Sequence, residues 1–116
     1  PNLFTLLGPH TALGNIPRSI EYNVDWVSRL LGHLQARGLT RVETRPEAMR
    51  TWMEHVFACG QGLLSNEVDS WMTGVNRNVE GKQRRRIARY SGSAPEYRAW
   101  CERVAADGYV NDLVLA

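Results

Sequence analysis

The stretch NIPRSIEYNVDWVSRLLGHLQARG, residues 15–38, carries the longest helical pattern of this 116-residue chain. Asn15 suits an N-cap, Pro17 is tolerated in a first turn, and Gly38 suits the left-handed residue that follows a last turn. The spacing predicts a long amphipathic helix over residues 16–36. Its apolar stripe steps by four, three, four and three residues through Ile20, Val24, Val27, Leu31 and Leu34, and is widened by Trp26 and Leu30.

The pattern changes on the N-terminal side of this helix. The apolar run from Leu3 to Leu7, closed by Gly8-Pro9, predicts a buried strand that ends in a turn. A helix that starts soon after such a turn offers free N–H groups and about half a positive charge. Residues 14–16 (Gly14, Asn15 and Ile16) are therefore a candidate site for an anionic oxygen or ring. An ordinary capped helix on the surface is the alternative.

Two further helical patterns follow toward the C-terminus. Thr44-Arg45-Pro46-Glu47 predicts a capping box before a helix whose apolar residues run from Met49 to Phe57, ending near Gly60. Ser93-Ala94-Pro95-Glu96 predicts a second box before a helix with Tyr97, Trp100, Cys101, Val104 and Ala105 on its apolar face. We expect a mostly helical α+β fold with three helices and short strands. Extended segments are expected at 39–43, 70–73 and 109–115, and loops at 61–69 and 74–92.

Composition is that of an ordinary globular domain. The 43% hydrophobic and 22% charged content argue against disorder, and no apolar run approaches the roughly 20 residues of a membrane span. Without a signal-peptide pattern, we expect a cytoplasmic protein in which Cys59 and Cys101 are unpaired, half-buried thiols; one disulfide is the alternative. Because the chain starts at Pro1 and not at an initiator Met, we expect it to be cut from a longer polypeptide, processed or engineered.

Positive charge is concentrated in residues 77–89, the basic loop, which holds six basic side chains against Glu80 while the whole chain carries only +2. Three interpretations remain open. The loop is solvated with its arginines paired to local acids such as Glu80, or it docks on the protein, or it binds nucleic acid with Tyr90 stacked on a base. The near-neutral total weighs against the third. The basic residues are Arg77, Lys82, Arg84, Arg85, Arg86 and Arg89.

Known catalytic and metal motifs are absent from the sequence. The histidines His10, His33 and His55 are 23 and 22 residues apart, and we expect neither cysteine to complete a metal site with them. We interpret His33 and His55 as border histidines of their helices. The Gly-x-Ser-x-Gly elbow and both Gly-rich phosphate loops are missing. No catalytic residue and no metal ligand is therefore assigned.

Five groups of residues, taken in order, resemble the C-terminal portion of the Baeyer–Villiger flavin monooxygenases. They are Pro1-Asn2-Leu3-Phe4-Thr5 with Gly8-Pro9; Asn15 with Ser19-Ile20-Glu21 and Val24-Asp25-Trp26; Pro46-Glu47-Ala48 with Trp52 and His55-Val56; Ser70-Trp71 with Gly74, Asn76 and Gly81-Lys82; and Tyr97-Arg98 with Val104-Ala105-Ala106 and Gly108-Tyr109. This family includes cyclohexanone, phenylacetone and steroid monooxygenases.

The resemblance implies a parent enzyme that uses FAD, NADPH and O₂ to insert oxygen next to a ketone carbonyl, giving an ester or lactone. It implies that Gly14, Asn15 and Ile16 face the flavin and that Trp71 touches the nicotinamide cofactor, in the full-length enzyme only. The chain would be one unit at the C-terminal end of an α/β flavoenzyme with two dinucleotide-binding domains. Its parts would be the end of the FAD domain (1–38), a helix and loop (39–69), a mobile segment that includes the basic loop (70–92), and a helix and tail (93–116).

Several elements of that family have no counterpart in this sequence. Both Gly-x-Gly-x-x-Gly sites, the Phe-x-Gly-x-x-x-His-x-x-x-Trp signature and the catalytic arginine are missing, and the spacing from Gly74 to Gly81 is two residues longer than in cyclohexanone-type members. We therefore expect the isolated chain to be inactive and to bind neither cofactor.

The resemblance also decides which partners we expect. They are the rest of the flavoenzyme, or a second copy of the chain through an apolar face left exposed by the first strand and helix. Nucleic acid and membrane are not expected partners. The alternative is a small interaction module that is not an enzyme and that binds an anionic partner through the Arg77–Arg89 loop.

Overall fold

The computed structural model describes residues 1–11, 14–87 and 89–116, and for Trp71 the backbone alone. Within these residues it contains three helices and a two-stranded sheet, which confirms the predicted mostly helical α+β class. None of the helices in these ranges combines the length and the apolarity needed to cross a membrane. In chain order the elements are α1 (Ile16–Ala36), β1 (Val42–Thr44), α2 (Pro46–Gly60), 3₁₀ turns at Leu64–Asn66 and Trp71–Thr73, α3 (Ala94–Ala106) and β2 (Leu113–Leu115).

Helix α1 begins and ends where its sequence predicts. The Asn15 side chain accepts a hydrogen bond from the backbone N–H of Arg18 at 3.1 Å, which satisfies one of the free donors of the first turn. After the C-cap residue Arg37, Gly38 adopts a φ of 66°, in the left-handed region that favours glycine. The helix bounds therefore follow from local capping chemistry.

The buried face of α1 is rotated from the predicted apolar stripe. Leu30 and Leu34 are buried, whereas Val24 and Leu31 of the predicted stripe remain 40% and 49% exposed. The buried Asn23 also lies on the inward side. Periodicity predicted the helix correctly, but the packing partners decide which part of a wide apolar surface turns inward.

The sheet closes the first core, which we define as Leu30, Leu34, Val42, Val104 and Tyr109. Strands β1 and β2 pair antiparallel, with Val42 opposite Leu115 and Thr44 opposite Leu113. The extended segment predicted at 109–115 thus contains β2, and the one predicted at 39–43 overlaps β1, which extends one residue further to Thr44. The first core joins one face of α1 to α3 through the sheet.

A second group of side chains, the aromatic cluster, lies where α2 meets α3. We define it as Trp52, His55, Tyr90, Tyr97 and Trp100, packed around the fully buried Val56. The ring centroids of Trp52 and Trp100 are 5.0 Å apart, and the Trp100 ring stacks on His55 at 5.0 Å. Trp100 also packs against the first core, so it belongs to both groups.

The predicted strand at Leu3–Leu7 is wrong. This segment contains no strand in the described residues, and Leu3 is 87% exposed. Only Asn2 pairs beside β1: its N–H donates to the Val42 carbonyl at 3.0 Å, and its side chain accepts from the Val42 N–H at 2.9 Å. A ladder needs a run of partner residues, and β1 is only three residues long.

The capping box predicted at Thr44–Glu47 is also wrong. Thr44 belongs to β1, and Arg45 stands at the N-cap of α2 without a side-chain capping bond in the described part of the chain. The later box is confirmed in part, since the Ser93 hydroxyl accepts from the Glu96 N–H at 3.2 Å. The Glu96 carboxylate does not reach back to Ser93 in this structure but accepts from the Tyr90 hydroxyl at 3.2 Å.

The segment predicted to be extended at residues 70–73 instead contains the 3₁₀ turn Trp71–Thr73. The Thr73 hydroxyl lies 3.0 Å from the carbonyls of both Val68 and Ser70, and it accepts from the Ser70 N–H at 3.0 Å. These local bonds of a buried threonine fold the backbone back on itself. Gly74 then continues in the left-handed region with a φ of 71°.

The first segment and α1 expose apolar side chains, as expected. Leu3, Leu7, Ile16, Val24 and Leu31 are each at least 40% exposed. Apolar residues that occur singly on a surface are normal, but these belong to two consecutive segments. They provide apolar surface that the described residues of this chain leave uncovered.

Candidate functional site

The anion site that the sequence predicted would lie at the start of α1. Its first turn contains no acidic residue, so the positive end of the helix dipole is not neutralised locally. Gly14 adopts a φ of 126°, and among the described residues other than its chain neighbours no atom lies within 4 Å of the position that a Cβ would occupy there. Asn15 and Ile16 are exposed. The three predicted residues therefore form one open surface at a helix N-terminus.

Trp71, the other predicted site residue, opens the second 3₁₀ turn. Its side chain lies outside the described residues. In the described part of the chain, no hydrogen bond joins this turn to the start of α1. The structure thus keeps the two parts of the predicted site on separate segments.

His10 connects the segment before α1 to the basic loop. Its Nε2 lies 3.0 Å from the carbonyl oxygen of Ile87, and its ring meets Phe57 of α2 edge-on at 6.1 Å. Because His10 contacts the loop and α2 together, the approach to α1 is held close to the C-terminal end of the basic loop.

Most of the basic loop is solvent-exposed, and its arginines pair with acidic residues that precede it. Arg77 and Arg85 both bond to Asp69, at 2.8 and 2.7 Å, and Arg85 also lies 3.6 Å from Glu67. The hydrogen bonds from Arg77 and then Arg85 hold the pKa of Asp69 below its ordinary value. Pairing with acids is thus confirmed, but the partners are Asp69 and Glu67, not the expected Glu80.

The end of the loop is directed inward. The Arg89 guanidinium donates to the Ser65 hydroxyl and lies 3.2 Å from the sulfur of Met72. Tyr90 is only 1% exposed. The third interpretation, in which Tyr90 stacks on a nucleic-acid base, is therefore contradicted, because its ring is already enclosed by the aromatic cluster.

An apolar cleft of about 540 Å³ opens between the N-terminal segment and the three helices. Its principal polar groups are already paired: the Tyr97 hydroxyl donates to Asn23 at 3.0 Å, and the Asn23 amide donates to the Leu6 carbonyl at 2.6 Å. Burial raises the pKa of Cys101 to about 11, which favours the protonated thiol. These features indicate that the cleft serves packing and not catalysis. Its aromatic and sulfur-containing walls include Phe4, Trp26, Met49, Trp52, Met53 and Trp100.

A histidine, a cysteine and a glutamate converge at the edge of the aromatic cluster. The Nε2 atom of His55 lies 3.6 Å from the Cys59 sulfur and 3.7 Å from a carboxylate oxygen of Glu96. The ligand atoms of the three residues all lie within 4.8 Å of one another. Sequence reasoning missed this group, although His55 and Cys59 stand four residues apart on one helix, which puts them on one face.

Electrostatics at this group favours a neutral thiol in the absence of a cation. Burial, followed by the nearby charge of Glu96, raises the pKa of Cys59 above its ordinary value. The Tyr90 pKa is also raised, by burial and then by its hydrogen bond to Glu96. Both cysteines are free and half-buried, as predicted.

A second polar contact positions α1 against α3. Glu102 accepts from the Tyr22 hydroxyl at 2.8 Å and from the Arg29 guanidinium at 2.9 Å. The hydrogen bonds from Arg29 and then Tyr22 lower the pKa of Glu102 from 4.5 to about 2. The ion pair is half-exposed, so it contributes more to orientation than to stability.

Comparison with known proteins identifies relatives along nearly the whole chain, although no family model matches. A phenazine N-monooxygenase of Lysobacter antibioticus is 34% identical over 109 residues, and an acetone monooxygenase (methyl acetate-forming) of Gordonia sp. is 33% identical over 112. A cyclohexanone 1,2-monooxygenase of Acinetobacter sp. is 30% identical over 112. Each match covers 94% of this chain and 20% of the relative. The chain thus spans about one fifth of the length of these relatives.

Solved structures agree with the sequence matches. A cyclohexanone monooxygenase from Rhodococcus sp. Phi1 bound to NADP⁺ superposes with a TM-score of 0.83 at 31% identity, over 95% of this chain and 20% of the other. A steroid monooxygenase bound to NADP gives a TM-score of 0.76 at 27% identity, over 93% and 19%. The resemblance is confirmed: along nearly its whole length this chain is similar to the C-terminal part of the Baeyer–Villiger-type flavin monooxygenases.

Proposed function

We propose that this chain is the C-terminal part of an FAD- and NADPH-dependent monooxygenase that inserts oxygen next to a ketone carbonyl, and that it is inactive alone. The observation that carries the proposal is the match over 94% of the chain to monooxygenases about five times as long. The Gordonia relative is described as acetone monooxygenase (methyl acetate-forming). Conversion of acetone to methyl acetate places one oxygen atom between the carbonyl carbon and a methyl group.

The substrate is not specified by this part of the enzyme. Relatives of nearly equal identity are named for phenazine and for acetone. Phenazine and acetone share neither size nor functional group. The cofactors are a separate matter: a solved relative is described in complex with FAD and NADP. We therefore assign to the chain the part of the reaction that concerns the cofactors.

The residues at the start of α1 fit a flavin. Gly14 leaves space for a planar ring to approach the backbone, and Asn15 holds the first turn in place through its bond to Arg18. When bound, FAD supplies the redox chemistry and gains negative charge on reduction. A helix N-terminus without an acidic residue favours such charge by about 0.3–1 kcal/mol at an exposed site. Gly14, Asn15 and Ile16 would thus face the flavin.

The segment around Trp71 would contact the nicotinamide nucleotide. It lies between two loops and is anchored by Thr73, which is 1% exposed. A turn held at one end by a buried threonine can carry its first residue toward a ligand while the anchor stays in place. Closure of such a segment would exclude water from the reacting groups.

The exposed apolar side chains of the first segment and α1 would contact the remainder of the enzyme. They are exposed in the described residues, yet apolar surface of this kind is covered in stable assemblies. In the isolated chain the same face favours self-association. Sedimentation over a range of concentrations checks this: a monomer at every concentration would contradict it.

The first experiment isolates the native polypeptide from its source with an antibody against residues 77–87. We expect a polypeptide about five times as long as this chain, which the 20% coverage of the relatives implies. It should oxidise NADPH faster when a ketone such as cyclohexanone is added and should yield the lactone. A native polypeptide of only 116 residues, or NADPH oxidation that no ketone accelerates, would contradict the proposal.

A substitution in that polypeptide tests the role of the Trp71 segment. Trp71→Ala is expected to raise the KM for NADPH by about tenfold or more, because one face of the nicotinamide site is lost. Trp71→Phe is the matched control and should retain most of the affinity. An unchanged KM in the alanine variant, with normal flavin content, would remove Trp71 from the site.

A further inference from the structure

The geometry points to a zinc-binding site formed by His55, Cys59 and Glu96, at the junction of α2 and α3. This site is independent of the flavin reaction and uses none of the residues assigned to it above. Three donor types converge there: an imidazole nitrogen, a sulfur and a carboxylate oxygen, all within 4.8 Å of one another. These are the ligand types that Zn²⁺ takes in proteins.

The distances match the edges of a tetrahedron around zinc. Zinc lies about 2.0–2.3 Å from nitrogen, oxygen and sulfur ligands, which places neighbouring ligand atoms about 3.3–3.8 Å apart. The His55 nitrogen is 3.6 Å from the Cys59 sulfur and 3.7 Å from the Glu96 oxygen. The Cys59 sulfur and the Glu96 carboxylate lie within 4.8 Å of each other, and a bound zinc would hold them one tetrahedral edge apart.

The contacts of the His55 nitrogen are too long for strong hydrogen bonds. Besides the sulfur and the carboxylate, it lies 3.4 Å from the Tyr90 hydroxyl. Good N–H···O bonds are 2.7–3.2 Å long, and one ring nitrogen forms only one of them at a time. A cation at the centre of these atoms gives each of them a partner at a suitable distance.

Two helices and the aromatic cluster hold the ligands in place. Residues 55 and 59 lie one turn apart on α2, which aligns their side chains. Glu96 stands in the first turn of α3, where the Ser93 cap fixes the backbone. The His55 ring is stacked on Trp100, which limits its rotation. The ligand side chains therefore lose little conformational entropy when the ion binds.

Tyr90 orients one of the ligands without binding the ion itself. Its buried hydroxyl donates to the second carboxylate oxygen of Glu96 at 3.2 Å, so the first oxygen stays directed at His55. Ligating carboxylates are commonly oriented in this way. On binding, the Cys59 thiol gives up its proton to solvent, and thiolate and carboxylate together balance the charge of the ion. Three protein ligands leave a fourth position for water.

Titration of the metal-free, flavin-free native polypeptide that contains these residues with Co²⁺ and Zn²⁺ tests the site. We expect one ion per chain, a thiolate-to-cobalt absorption band with tetrahedral ligand-field bands, and a higher melting temperature with Zn²⁺. Cys59→Ser should abolish the charge-transfer band. Loss of a residue that orients a ligand typically weakens metal binding by roughly 10- to 100-fold, and we expect this effect for Tyr90→Phe. Glu96→Gln and His55→Gln remove ligands and should weaken zinc binding more.

Matched controls come from residues of the same types elsewhere in the chain. Cys101→Ser and His33→Gln should leave the cobalt spectrum and the zinc affinity unchanged. Circular dichroism of every variant checks the fold, and Glu96→Gln changes a half-exposed side chain that the helix does not need for its cap. The proposal is overturned if the folded chain binds no stoichiometric ion, or if the band persists in Cys59→Ser or depends on Cys101.

Discussion

The first core and the aromatic cluster share α3 but differ in chemistry. The first core is made chiefly of aliphatic side chains from two helices and the sheet, with Leu30 fully buried. The aromatic cluster is made of rings, and its outer edge carries the polar atoms of His55, Tyr90 and Glu96. An aliphatic core stabilises the fold, whereas a cluster with a polar edge can also bind a ligand. The difference separates the part of this domain that holds it together from a part that is available for a ligand.

Trp100 makes the comparison testable because it contacts both regions. Its ring lies 5.0 Å from Trp52 and from His55, and it also packs against the first core. Substitutions away from Trp100 should affect one region at a time. The following changes are ordered from the largest expected loss of stability to the smallest.

Truncation of the first core should have the largest effect. Leu30→Ala removes a fully buried side chain and leaves a cavity, so we expect a loss of about 2–5 kcal/mol in the free energy of unfolding. Leu31→Ala, one residue away and 49% exposed, is the control and should lose far less. Urea denaturation measures both. Equal losses would mean that α1 turns a different face inward.

Removal of one hydroxyl should measure what the polar edge of the aromatic cluster contributes to stability, apart from the packing of its rings. Tyr90→Phe keeps the ring and loses the hydrogen bond to Glu96, for which we expect a cost of about 1 kcal/mol in the metal-free chain. Tyr97→Phe is the comparison, since its hydroxyl bonds to the buried Asn23. A Tyr90→Phe loss as large as that of Leu30→Ala would show that the polar edge is part of the stabilising core.

The smallest effect is expected at the surface bridge between α1 and α3. The lowered pKa of Glu102, from 4.5 to about 2, means that its contribution is complete above pH 4.5 and is lost as the pH falls toward 2. Because the pair is half-exposed, we expect less than about 1 kcal/mol.

Glu102→Gln should therefore reduce the loss of stability between pH 4.5 and pH 2, as followed by thermal unfolding. Glu43→Gln is the matched control, because the Arg41–Glu43 pair lies within one extended segment and joins no helices. A Glu102 variant with the same acid sensitivity as the parent chain would contradict the assignment.

The sequence predicted the helices well because their signals are local. The N-cap of Asn15, the cap of Ser93 and the left-handed glycine at position 38 each act within a few residues of their own position. The stripe of α1 was placed only approximately, because Val24 and Leu31 are as apolar as Leu30 and Leu34. Which of them is buried depends on where the sheet and α3 lie.

Features that depend on distant residues were missed or wrong. The apolar run at Leu3–Leu7 has strand composition, but a strand exists only beside a partner of matching length. The group at His55 joins residues 37 to 41 positions apart in the chain, because Glu96 comes from α3. The spacing of His55 and Cys59 was a usable signal. The helix start at residues 14–16 was recognisable because it is again a local feature, and the flavin site proposed there stays a prediction.

The pairing of β1 with β2 sets the order in which this domain can be completed during synthesis. Residues 42–44 leave the ribosome about seventy positions before residues 113–115, which are their partners. The helices can form from local contacts as they emerge, but the sheet that closes the first core must wait for the end of this stretch. Until then Val42 and the inner face of α1 lack the cover that α3 and β2 provide in the finished domain, so this apolar surface stays open to solvent during synthesis.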